Sequence, residues 1–77
     1  MIKIYSTPSC PYCQMVKEYL KERNVDYEDY DVSQDEKAQK EMIAKSHQLG
    51  VPVIDIDGTI IIGFDKEAID KALEKKS

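Results

Sequence analysis

The spacing of apolar positions along this chain alternates between the two-residue period of a strand and the 3.6-residue period of a helix. Ile2 and Ile4 alternate with Lys3 and Tyr5, which predicts a first strand over Ile2 to Ser6. Thr7-Pro8-Ser9 then turns the chain. From Pro11 to about Arg23 the apolar residues Tyr12, Met15, Val16, Tyr19 and Leu20 recur at helical spacing. Pro11 suits the first helical position, where its missing N–H is not required. Asn24 closes this helix, and Tyr27 to Val32 predicts a second strand with imperfect alternation. Ser33 and Glu36 have the spacing of a capping box at the start of a second helix. Ala38, Met42 and Leu49 mark its inner face, and Gly50 is the expected stop.

Pro52 to Ile56 and Thr59 to Ile62 are β-branched runs separated by Asp57-Gly58, the strongest short-range hairpin signal. Asp65 is placed to cap a last helix in which Ala68, Ile69, Ala72 and Leu73 repeat the three- and four-residue spacing. The predicted order is therefore βαβαββα, an α/β unit. A helical crossover makes the first two strands parallel, and a two-residue turn makes the last two antiparallel. A four-stranded mixed sheet flanked by three helices, with helices on both faces, follows. With 77 residues and neither repeats nor linker-like segments, residues 1–77 read as one small domain, able to bury only about 60–65% of its unfolded surface.

Into this framework the segment Cys10-Pro11-Tyr12-Cys13 places the chain's two cysteines, between the first strand and the first helix. Two thiols three apart can close a disulfide across one helical turn, so the chain has two covalent states differing by two electrons. A loop this short removes little entropy from the unfolded chain, which argues against a structural staple. A structural zinc site needs two further Cys or His ligands. His47 is the sole further candidate, so no residue is assigned to a metal. It reads as an exposed residue near a helix end. A C-x-x-C pair beside a strand-helix pattern is a redox signature.

The net charge of −4, with acids concentrated from Asp26 to Glu36, argues against nucleic acid as a partner, since phosphate binding needs clustered Lys or Arg. The acidic run reads as a solvated edge and helix start. No apolar stretch reaches the roughly 20 residues of a membrane span, and no basic and apolar leader pattern opens the sequence. The expected setting is cytoplasmic, where a reducing environment keeps the thiols available for exchange.

Cys-Pro-Tyr-Cys after a first strand, Val51-Pro52 before a hairpin and Gly63-Phe64-Asp65 opening a last helix together resemble the glutaredoxin family, within the thioredoxin fold. The resemblance covers essentially the whole chain. It implies sheet order 2-1-3-4, a catalytic Cys10, and a cis Val51-Pro52 bond beside the cysteines. It also implies a thiol-disulfide oxidoreductase with no tightly bound cofactor and with glutathione as co-substrate. At the helix mouth, unsatisfied N–H groups stabilise the Cys10 thiolate over the thiol. Cys13 lies one turn in and takes the resolving role.

Pro11, Tyr12, Lys17, Val51, Pro52, Gly63, Phe64 and Asp65 are the corresponding candidates for binding glutathione or substrate. Tyr12 fits equally the apolar stripe of the helix. Val51 offers backbone hydrogen bonds to an extended peptide, Asp65 meets a γ-glutamyl amine, and Lys17 or Lys66 stands in for a glycyl-carboxylate lysine.

Three departures from the family pattern bear on the electron donor. Many glutathione-using glutaredoxins have Lys three residues before the nucleophile, Thr before Val-Pro, and a Gly-Gly-x-Asp-Asp turn. This chain has Thr7, Gly50 and Ile62-Gly63-Phe64-Asp65-Lys66 at those places. Gly-Phe is similar instead to the redoxins linked to ribonucleotide reductase, which take electrons from thioredoxin reductase. Expected partners are thus glutathione and disulfide-containing or glutathionylated proteins, with thioredoxin reductase and ribonucleotide reductase as the alternative, in a monomer binding neither nucleic acid nor membrane. A reading from another class is an iron–sulfur cluster carrier, with two chains holding a cluster between their Cys10 thiolates. The small form also resembles bacterial and archaeal glutaredoxin-like proteins, some with selenocysteine where this chain has Cys10.

Overall fold

A computed structural model describes residues 2–76, with side chains described through Glu74. Its elements are β1 (Ile2–Ser6), α1 (Pro11–Glu22), β2 (Glu28–Asp31), α2 (Glu36–Ser46), β3 (Val53–Ile56), β4 (Thr59–Ile62) and α3 (Lys66–Lys76). The sheet order is β2-β1-β3-β4, as the resemblance implied. β1 runs parallel to β2, with Ile4 opposite Asp29, and antiparallel to β3, with Ile4 opposite Ile54. β3 and β4 are antiparallel.

Because side chains alternate across a strand, the central strands feed two cores. Ile2, Ile4, Ile54, Ile56 and Ile61 pack with Val16, Tyr19 and Leu20 of α1 and Ile69 and Ala72 of α3. On the opposite face Tyr5 and Val53 meet Ala38 and Met42 of α2, with Val32. Full burial of one large apolar side chain contributes about 1.5–3 kcal/mol, and the face under α1 and α3 holds most of them. That face anchors the helix that carries the cysteines.

Polar groups on the α2 face are paired. Asp55 is 8% exposed; its Oδ2 accepts from Lys45 Nζ at 2.7 Å and its Oδ1 from the Gly58 N–H at 2.8 Å. Lys45 also donates to the Tyr5 hydroxyl at 3.1 Å and lies 3.1 Å from Glu41. Burial disfavours the Lys45 ammonium, but the bonds to Asp55, Tyr5 and Glu41 outweigh it and raise its pKa. Among the described residues, no buried side-chain nitrogen or oxygen lacks a partner.

Local signals account for most element ends. Asp57 and Gly58 both have positive φ (47° and 98°), the conformation of a tight hairpin turn. Asn24, at φ 56°, ends α1: its N–H reaches Lys21 O at 3.0 Å and the Val25 N–H reaches Leu20 O at 3.1 Å. Asp65 caps α3 through the Ala68 N–H at 3.1 Å.

Several expectations need correction. The cap of α2 is Asp35, which accepts from the Ala38 N–H at 3.1 Å. Ser33 is drawn instead onto the Asp31 carboxylate by its N–H and hydroxyl, so the expected capping box does not form. The helix stops before Gly50, at His47, an exposed residue in the left-handed region at φ 61° whose N–H reaches Ile43 O at 2.7 Å. Leu49 therefore leaves the helix and is 67% exposed. On α1 the buried stripe is Cys13, Val16, Tyr19 and Leu20, while Tyr12 and Met15 lie outside it at 61% and 44% exposure. β2 spans Glu28–Asp31, shorter than expected, and Pro52 precedes the β3 ladder. Among the described residues, no helix is long and apolar enough to cross a membrane.

Candidate active site

β1 ends at Ser6, and the turn that follows delivers Cys10 to the N-cap of α1, with Pro11 at the first helical position. Cys10 has extended backbone angles, φ −94° and ψ 111°, and its carbonyl accepts from the Gln14 N–H at 3.3 Å. Its half-buried sulfur accepts from the Cys13 N–H at 3.2 Å. A capping sulfur thus occupies the place usually taken by a hydroxyl or carboxylate. The Cys13 N–H is thus the backbone donor aimed at the sulfur, which sits at the N-terminal, positive end of the α1 macrodipole.

Cys13 differs sharply from Cys10. It is 0% exposed, part of the inner face of α1, and both cysteines are in the dithiol state. Burial pushes the Cys13 thiol up, and its hydrogen bond with Cys10 adds to this, to about 12. A backbone hydrogen bond with Thr7 and the charge of Lys17, one turn further along α1, act in the opposite direction. One thiol is accessible and receives a hydrogen bond; the other is enclosed and held protonated.

Across from Cys10 lies the segment before β3. The Val51-Pro52 peptide is cis, as the resemblance implied. Val51 is half-buried, and its carbonyl oxygen lies 4.0 Å from Cys10 Sγ. Pro52 is buried, and its carbonyl accepts from the Gly63 N–H at 2.9 Å, which ties the start of β3 to the residue after β4. Gly63 has φ 80°, where a side chain is strained, so glycine suits this turn. Phe64 packs edge-on to Tyr19, ring centroids 5.7 Å apart.

Cys10, Cys13, Val51, Pro52 and Gly63 are therefore linked into one place. Pro11 and Tyr12 are exposed beside it, and Asp65 is exposed at the head of α3. Lys17 is committed elsewhere: its Nζ lies 2.7 Å from Asp29 Oδ2, while Asp29 Oδ1 accepts from the buried Ser6 hydroxyl at 2.8 Å. Sequence reasoning missed Ser6 and Asp29. Their signal was the parallel crossover, which sets the ends of β1 and β2 side by side, but a single acid in an acidic run gave no reason to choose Asp29. An open concavity of about 980 Å³ runs from Asp29 to Gln39 and is lined by neither cysteine. Exchange at the half-buried Cys10 sulfur needs access rather than enclosure. Among the described residues, no cluster of three or more His, Cys, Asp or Glu could hold a metal ion.

The family model for glutaredoxin matches residues 2–61. The chain belongs to the glutaredoxin family. A glutaredoxin-like 8.6 kDa protein of Clostridium pasteurianum, uncharacterised and in a rubredoxin operon, is 59% identical over 75 residues, covering 97% of this chain and all of that one. Glutaredoxin 3 of Escherichia coli is 33% identical over 64 residues, 83% of this chain and 77% of its own length. Among solved structures, the thioredoxin-like protein BC3987 superposes with a TM-score of 0.88 at 36% identity, covering 94% of this glutaredoxin and 99% of that chain. Fold and family are those of a thiol oxidoreductase, which the dithiol at the head of α1 suits.

Proposed function

We propose that this protein reduces disulfides by a two-thiol exchange in which Cys10 attacks and Cys13 resolves, with glutathione returning the electrons. The observation that carries the reading is the contrast between the accessible Cys10 sulfur, hydrogen-bonded by the Cys13 N–H, and the fully buried Cys13. The Cys10 thiolate attacks one sulfur of a disulfide, expelling the other as a thiolate and leaving a mixed disulfide on Cys10. Cys13 then loses its proton to the departing thiolate and attacks Cys10 Sγ. The substrate leaves as thiol and the Cys10–Cys13 disulfide closes. Two glutathione molecules reverse this, the first forming a mixed disulfide at Cys10 and the second leaving with it as glutathione disulfide.

Accessibility also selects which sulfur starts. The attacking thiol must meet the substrate, and a buried thiol cannot. The Val51 backbone supports docking of an extended thiol ligand, with Pro11, Tyr12, Pro52, Gly63, Phe64 and Asp65 around it. A reducing compartment such as the cytoplasm suits this chemistry.

A second donor, thioredoxin reductase, is favoured by one specific observation. Position 7 lacks the lysine common in glutathione users, and Lys17, a candidate replacement, is already paired with Asp29. A coupled assay decides between the donors. NADPH oxidation in the presence of glutathione and its reductase is expected to exceed that with thioredoxin reductase alone. Turnover with thioredoxin reductase alone that equals or exceeds that with glutathione and its reductase would overturn the assignment of glutathione.

A further inference from the structure

Resting on the oxidoreductase reading, we propose that the exposed face of α1 from Tyr12 through Met15 to Glu18 and Glu22 docks a segment of the substrate protein. That segment carries an apolar side chain beside its cysteine and a Lys or Arg about four to six residues away. This face is set apart by its sequence of surfaces. Tyr12 and Met15 are exposed large apolar groups two and five residues after Cys10. Beyond them, Met15, Tyr19 and Phe64 line a shallow groove of about 190 Å³ whose rim holds Glu18, Glu22 and Lys66. The apolar end lies in the first turns of the helix that Cys10 caps, and the acidic end lies further along it.

Charge argues for a cationic occupant. Lys66 is drawn over the rings, 5.7 Å from the Phe64 centroid and 5.9 Å from that of Tyr19. Glu18 and Glu22 make no ion pair among the described residues. Four apart on one helix face, like charges repel, at a cost of roughly 0.2–0.5 kcal/mol. A partner's guanidinium or ammonium placed between them removes that repulsion. An acidic segment meets two carboxylates and is disfavoured.

Geometry sets the register. At about 1.5 Å of rise per residue, Glu18 and Glu22 lie roughly 12 and 18 Å along the axis from Cys10. An extended peptide advances about 3.3 Å per residue, so these distances correspond to about four to six residues from the substrate cysteine. A basic residue adjacent to that cysteine falls on Tyr12 and Met15 and gains nothing from the acids.

The test is single-turnover reduction by the full-length, pre-reduced protein, which supplies both electrons itself. Substrates are peptides dimerised through one cysteine with Leu beside it. One has Arg five positions from the cysteine on both sides, a second has Glu there, and a third has Arg adjacent to the cysteine. Bis(2-hydroxyethyl) disulfide is the small reference. The first peptide is expected to react about 5- to 10-fold faster than the other two at low salt, with the advantage vanishing at high salt. The double variant Glu18→Gln, Glu22→Gln is expected to lose the advantage while reducing the small disulfide at the wild-type rate. The variant Glu18→Lys, Glu22→Lys is expected to prefer the Glu peptide. Equal rates for the three peptides, or an Arg advantage that survives in either variant, would overturn the docking proposal. Failure to reduce any peptide or the small disulfide would overturn the oxidoreductase reading itself, and this proposal with it.

Discussion

Cys13 in the folded dithiol protein is expected to resist alkylation by about three orders of magnitude relative to the unfolded chain. The perturbation is burial: at 0% exposure and with its thiol pushed up from 9.0 to about 12, Cys13 loses a factor of ten in thiolate per unit at any pH below 9. At about pH 8 an unperturbed thiol is roughly one-tenth thiolate and Cys13 about one part in ten thousand. Iodoacetamide in limiting amount, followed by peptide mass spectrometry at each cysteine, reads the two rates, with urea-unfolded protein as reference. Native Cys10 is expected to be labelled first. Alkylation of native Cys13 within tenfold of its unfolded rate would refute the assigned burial.

The same shift has a thermodynamic consequence. Between pH 9 and 12 the folded dithiol retains a proton at Cys13 that the unfolded chain has released, so stability is complete below pH 9 and falls as pH rises toward 12. Three units amount to at most about 4 kcal/mol. The disulfide form has no thiol to titrate. Urea unfolding of both forms across this window therefore isolates the effect, because Lys45 titrates in both and cancels.

Other substitutions probe separate parts of the molecule. Lys17→Met removes a charge that favours the Cys13 thiolate, so rapid-quench kinetics is expected to show slower release of substrate from the Cys10 mixed disulfide with its formation unchanged; equal slowing of both steps would refute this role. Lys45→Met leaves the Asp55 carboxylate without its cation and is expected to cost about 2–3 kcal/mol in urea unfolding at neutral pH, somewhat below a fully buried pair because Lys45 is partly exposed. Since the Lys45 pKa is raised above 10.5, this wild-type advantage is present below that pH and fades as pH climbs past it; a constant difference through the alkaline range would count against the pairing. His47→Gly is expected to raise stability by up to about 1 kcal/mol, because φ 61° suits glycine better than histidine; a loss of stability would mean that the imidazole makes a compensating contact.

Much of this fold was legible because its signals are local. The Asp57-Gly58 hairpin, the Asn24 stop and the Asp65 cap depend on residues within a few positions of each other, and all three form. Errors arose where two local readings competed. Ser33 and Asp35 can both begin α2, and the choice was made by Asp31, whose carboxylate takes the Ser33 N–H and hydroxyl. The apolar stripe of α1 was assigned to Tyr12 and Met15 as well as Val16, Tyr19 and Leu20, but its inner position at the head of the helix belongs to Cys13. A thiol is small and apolar enough to fill that place, which releases Tyr12 to the surface.

The dithiol itself was plain from spacing, while its surroundings were not. Val51 approaches Cys10 across 41 positions of sequence, and the Ser6, Asp29 and Lys17 group joins two strands and a helix. Such contacts follow from sheet order and register, which the pattern of apolar residues alone does not supply. The resemblance to glutaredoxins supplied that order.

Trapping the mixed disulfide tests the central claim, the division of labour between Cys10 and Cys13, most directly. Reduced Cys13→Ser protein is mixed with glutathione disulfide and its intact mass and peptide map are recorded, beside Cys10→Ser protein treated identically. The account predicts one glutathione per chain, on Cys10, in the Cys13→Ser protein, and essentially none on the buried Cys13 in the Cys10→Ser protein over the same time. Glutathione on Cys13 at a comparable rate, or no adduct on Cys10, would contradict it.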